Sequence, residues 1–117
     1  MRNRTALAAL AMAFISTSAA AAADDKNRKI TLENVSSETI RELYAAPVTA
    51  KTWEEDLLGQ KTLAPGQSIS ANIDNGTTEC HYDLKVVLGD GKSIEQRNIN
   101  VCAITKWVVG DSGNSIQ

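Results

Sequence analysis

Few residues in this chain are suited to chemistry: a single histidine, two cysteines, and a tryptophan followed by three acids. His81 and Asp83 stand two apart in a stretch that alternates like a strand, so both point to one face and could touch. A histidine oriented by a carboxylate is half of a hydrolytic relay. The other half needs a nucleophile in a Gly-x-Ser-x-Gly elbow or a similar setting, and the sequence offers none. His81 and Asp83 therefore read as a solvated strand face, and no catalytic residue is assigned. Cys80 and Cys102 are too far apart for a thiol redox motif, and two cysteines with one histidine do not make a zinc site. They read as a structural disulfide; no metal and no cofactor is expected.

Two further features could recognise a partner or an ion. Trp53 runs straight into Glu54, Glu55 and Asp56, and with Tyr44 these residues form a candidate recognition patch. The competing reading makes the acids a helix start and Trp53 a core plug. Asp74-Asn75-Gly76 and Asp90-Gly91 hint at calcium, but calcium wants six to eight oxygens and no loop carries a dense Asp pattern, so both read as turns.

The elements that must position these residues are mostly strands. Residues 29–32 alternate, with Ile30 and Leu32 on one side, and residues 39–45 form a second strand with Ile40 and Tyr44 on one face, ended by Pro47. Residues 52–59 break the pattern. Thr52 and Glu55 have capping-box spacing and Gly59 can close a short helix, which must dock through Trp53, Leu57 and Leu58 because so short a helix cannot stand alone. Ala64-Pro65-Gly66 suits a type II turn, and residues 67–73 then alternate with Ile69, Ala71 and Ile73 inward. Residues 79–88 are the clearest strand, with Tyr82, Leu84, Val86 and Leu88 on the core face and Asp83 on the other. Asp90-Gly91 turns the chain into a return strand over 93–101, and residues 104–109 add a last strand carrying Trp107. The expected fold is all-β: a small antiparallel β-sandwich or open barrel of six to seven short strands, with one short helical turn and one disulfide.

A conflict of register sits in the hairpin. A two-residue Asp90-Gly91 turn pairs Tyr82 with Ile99 and Cys80 with Val101, leaving Cys102 one place out. A one-residue bulge in the return strand or a three-residue turn would resolve it, so an irregularity is expected between residues 93 and 100. The disulfide would contribute roughly 3 kcal/mol by loop closure, a large share of a small domain's stability.

The N-terminus indicates where the chain works. Arg2 and Arg4 precede an apolar run over 6–15, and small residues then lead to Ala21-Ala22-Ala23 before Asp24. This is the pattern of a secretory signal peptide over residues 1–23, with one domain over 24–109 and a flexible tail over 110–117. The apolar run is too short to span a bilayer, so no membrane insertion is expected after cleavage. Losing Arg2 and Arg4 leaves ten basic against fourteen acidic residues, and no basic stripe for nucleic acid. Export to the periplasm or the medium suits the cysteine pair. The sequons at Asn34 and Asn75 read as turn chemistry.

Leu43-Tyr44-Ala45-Ala46-Pro47, the Trp53 to Gly59 block, Leu63-Ala64-Pro65-Gly66, the Cys80-His81-Tyr82-Asp83 block, Asp90-Gly91 and Val101-Cys102 together resemble a family of small secreted, uncharacterised proteobacterial proteins. The resemblance covers roughly residues 30–102. The family pattern has glycine after the tryptophan, where this chain has Glu54. It implies a fold and a compartment and supplies no catalytic residue.

The expected function is a secreted or periplasmic non-enzymatic binding or protein-interaction module, its partner an envelope or extracellular protein or a small ligand. The alternative is an inhibitor or accessory subunit of an envelope hydrolase, offering loop 47–52 or 74–79; a small hydrolase built on His81 and Asp83 comes third. The intact mass of the exported protein should correspond to a chain beginning at Asp24, and a mass retaining residues 1–23 would contradict the leader.

Overall fold

Seven strands are seen in a computed structural model that describes residues 24–117. The expected leader lies outside the described residues. The strands are β1 (Lys29–Asn34), β2 (Ile40–Pro47), β3 (Ser68–Asn72), β4 (His81–Leu88), β5 (Ser93–Asn100), β6 (Lys106–Val109) and β7 (Asn114–Ile116). Of these, β1, β3 and β4 carry their buried or partly buried apolar side chains at every second position. They form two sheets, ordered β3-β1-β6-β7 and β2-β4-β5, that do not close into a barrel. Pairing is antiparallel except between β1 and β6, which run parallel. Parallel neighbours need a long crossover, and here the whole β2-β4-β5 sheet intervenes in the chain between them. The expected flexible tail instead supplies β7, whose Ile116 lies opposite Trp107.

The core lies between the sheets. Ile30 and Leu32 of β1, Ala71 of β3, and Trp107 and Val109 of β6 meet Leu43 and Ala45 of β2 and Tyr82, Leu84 and Val86 of β4. The Tyr82 ring is fully buried while its hydroxyl donates to Asn75 Oδ1 at 2.8 Å at the end of the sandwich. Burial pushes the Tyr82 phenol above its ordinary pKa. Asn34 is buried and fully used: its amide donates to the carbonyls of Glu38 and Leu63, and its oxygen accepts from the Ser36 backbone and hydroxyl. The first sequon is thus a packed turn. The second is an Asx turn in which Asn75 Oδ1 accepts from Thr77 N and Oγ1.

Two bulges reset the alternation. In β2 the register slips by one residue between Ile40 and Glu42. Leu43 and Ala45 therefore follow Ile40 inward, and Tyr44 lies on the outer face, opposite to the simple alternation that paired it with Ile40. The β4–β5 hairpin carries the expected irregularity within residues 93–100, but a three-residue turn and a bulge occur together and offset one another, so Cys80 still faces Val101 and Cys102 stays one place out. Gly89, Asp90 and Gly91 form a three-residue turn, and a bulge between Tyr82 and Leu84 sets Arg97 and Asn98 against Asp83. The bulge restores Tyr82 against Ile99 and lets Val101 bond Cys80 through the backbone at 2.8 Å. Cys102 reaches Cys80 from the turn after β5, held by Asn100 Oδ1, with Cα atoms 5.4 Å apart.

Residues 52–59 contain no helix. Residues 53–56 take no regular secondary structure, and hydrogen-bonded turns follow, Gly59 N to Asp56 O and Lys61 N to Leu58 O. The free edge of β2 takes this segment: Leu57 N bonds Leu43 O at 2.7 Å, and Ile40 and Leu63 exchange two bonds. Satisfying a sheet edge outweighs one marginal helical turn.

At the N-terminal end the nearly buried Arg28 donates to Glu79 O and forks onto both Asp24 oxygens at 2.8 Å. That fork holds the Asp24 carboxyl down at about 2. Arg28 Nη2 also lies 3.8 Å from Cys80 Sγ, so the clamp lies against the disulfide.

Tyr82→Ala should cost about 3–5 kcal/mol in equilibrium denaturation, the range for large aromatic-to-alanine changes in a packed core.

Candidate functional site

The outer face of the β2-β4-β5 sheet gathers the polar and aromatic side chains that the core leaves over. Across it the register sets Tyr44 opposite Lys85 and Ala46 opposite Asp83, with Glu95 opposite Lys85 on the far side. The irregular segment at 53–56 brings Trp53 onto the same face. Lys85 Nζ lies 5.0 Å from the Tyr44 ring centroid and 4.8 Å from that of Trp53. The Arg97 guanidinium stands 5.4 Å from the Trp53 centroid. Each contact is a cation–π pair, worth about 0.5–1 kcal/mol at exposed sites.

Carboxylates hold Arg97 and Tyr44 in place. Arg97 donates to Asp83 Oδ2 at 3.1 Å and also pairs with Glu95 Oε1. The bond to Asp83 chiefly raises the Arg97 pKa. Tyr44 donates its hydroxyl to Glu42 Oε1 at 2.7 Å, and that bond, with burial, raises the phenol above its ordinary value. Beside these groups is a depression of about 170 Å³ lined by Ala46, Ala50, Lys51, Thr52, Trp53, Asp83 and Arg97. Its wall carries an aromatic ring, a carboxylate and a guanidinium within one small area, a set able to seat a polar group on an aromatic surface.

The five patch residues are divided by this arrangement. Tyr44 and Trp53 share the outer face. Glu54 and Glu55 are exposed on the opposite side of their segment, lining a hollow of about 560 Å³ with Ala45, Leu57, Ile73, Asp74 and Asn75. Asp56 is occupied: its Oδ1 accepts from Leu43 N and Leu58 N, both at 2.9 Å. Lys85 and Arg97 complete the face and were not among the expected residues. The signal for Lys85 was its place two residues after Asp83 on one strand face. Arg97 carried no such signal, because its direction depends on the bulge.

His81 and Asp83 share the outer face without forming a relay. His81 Nδ1 lies 3.9 Å from Glu79 Oε2, while Asp83 Oδ1 accepts from Asn98 N at 2.9 Å and Oδ2 from Arg97. Asp83 is therefore a structural tie at the bulge, with its side chain 19% exposed, and not a free residue on a solvated face. The Asp74 and Asp90 carboxylates cap their own turns, accepting from Gly76 N and Lys92 N. The Cys80–Cys102 bond is of the kind that persists in oxidising compartments. No helix among the described residues is long and apolar enough to cross a membrane. No family model, curated protein or solved structure matches the chain.

Asp83→Ala should cost about 1–2 kcal/mol, since hydrogen bonds to a charged group contribute more than neutral ones. Chemical denaturation of the variant checks this, and a loss under about 0.5 kcal/mol would mark Asp83 as an ordinary surface residue.

Proposed function

We propose that this chain is an exported binding module, working in the periplasm or outside the cell, that uses the outer face of its β2-β4-β5 sheet and performs no catalysis itself. One observation carries the reading. Of the four aromatic residues after the leader, Tyr82 and Trp107 are fully buried, yet Tyr44 and Trp53 are held half-buried on one face. A small sandwich short of aromatics gains most by packing them inside. Holding two outside, flanked by Lys85 and Arg97, matches the Trp, Tyr and Arg composition of interface hot spots. The partner is an envelope or extracellular protein, or a small ligand seated in the depression beside Trp53. The family resemblance belongs to the same reading.

A second reading, inhibition of an envelope hydrolase, draws support from loop 47–52. This loop borders the same depression, is pinned by a turn from Ala50 N to Pro47 O, and exposes Val48. A rigid loop with an exposed apolar side chain suits insertion into an enzyme's cleft.

Affinity capture from envelope extract, followed by assay of any captured hydrolase, tests both. Trp53→Ala should lower capture at least about tenfold, equivalent to about 1.4 kcal/mol. Val48→Asp should do so only if the loop is the contact. Undiminished capture by a folded Trp53→Ala variant would remove the outer face from the reading.

A further inference from the structure

The two sheets have four edges, and three are guarded. The segment from Leu57 to Leu63 covers β2, β5 is interrupted by its bulge and carries Glu95 and Arg97, and β7 is only three residues long. The remaining edge strand, β3, reads Ser-Ile-Ser-Ala-Asn: five residues with no charge, no proline and no register shift, paired with β1 alone. Natural edge strands usually carry one of those devices because an open edge invites another strand.

Flanking bonds fix which main-chain groups are free. Asn34 N donates to Gln67 O and Ile73 N to Arg28 O, both at 2.9 Å. Residues 67, 69, 71 and 73 thus turn their main chain toward β1, and alternation turns that of Ser68, Ser70 and Asn72 outward. Among the described residues nothing bonds those outward N–H and C=O groups.

We propose that β3 pairs antiparallel with β3 of a second copy of this chain, about a twofold axis at Ser70, joining the two β3-β1-β6-β7 sheets into one. The sequence is self-complementary in that register. Ser70 faces Ser70, Ser68 faces Asn72 and Ile69 faces Ala71, so the outward groups of one strand meet those of the other in closely spaced pairs and no like charges are opposed. The contact is small, so association is weak and concentration-dependent.

Sedimentation velocity on protein purified from full-length expression tests this. The wild type should move from monomer toward dimer mass between about 10 µM and about 1 mM. Ser70→Pro removes an N–H that is unpaired in the monomer, a change edge strands tolerate. Ser70→Lys sets two ammonium groups against each other. Both should weaken association at least about tenfold with circular dichroism and melting unchanged, while Ser93→Lys on β5 leaves it intact. A wild type monomeric at about 1 mM, a dimer unaffected by both Ser70 variants, or equal loss with Ser93→Lys would each overturn the proposal.

Discussion

Asp83 reaches across the β4–β5 hairpin and accepts from the Asn98 backbone with one oxygen and the Arg97 guanidinium with the other. The arrangement of the whole sheet depends on that tie, because the apolar residues of β5 change parity along its length. Ile94 packs inward at an even position, while Ile99 and Val101 pack inward at odd ones. Unbroken pairing from the turn would carry Ile99 to the solvent face and Asn98 and Asn100 toward the core. One extra residue restores the pattern. Asn98, with φ of 56°, takes the left-handed conformation that asparagine tolerates better than most residues.

The same bulge has consequences on both faces. Inward, it sets Ile99 beside Tyr82 and brings the end of the strand to Cys80, so the disulfide forms from the following turn and closes the open end of the hairpin. Outward, it turns Arg97 toward Trp53 and Asp83. The bulge tie and the outer aromatic face thus share one side chain, Asp83.

Edge management decides the rest of that surface. The free side of β2 recruits the acidic segment through Asp56 and Leu57, which forgoes its helical turn. Without the helical turn, the segment carries Trp53 to the outer face while anchoring Leu58 in the core. The β2 bulge independently turns Tyr44 to the same side. Two local irregularities and one covered edge therefore bring Tyr44, Lys85, Trp53 and Arg97 together from four parts of the chain.

Alternation alone determined the class of fold, the inward set of β1, β3 and β4, and the burial of Tyr82, because side-chain direction within a regular strand has period two and needs no partner to define it. The Ala-Pro-Gly turn and the Asx turns were equally local, set by glycine's access to positive φ and by short polar side chains reaching the backbone two residues on. The cysteine pairing was legible from spacing and compartment, and the cysteine register placed a hairpin irregularity between residues 93 and 100. Its exact residue within that span was not legible, since Asp83 selects it across the ladder. The face of Tyr44, the non-helical path of Trp53, the parallel pairing of β1 with β6, and the pairing of β7 all depend on hydrogen bonds between residues distant in sequence. Such bonds are settled only when both sheets are assembled, because an edge has no partner to choose until the strands beside it are in place.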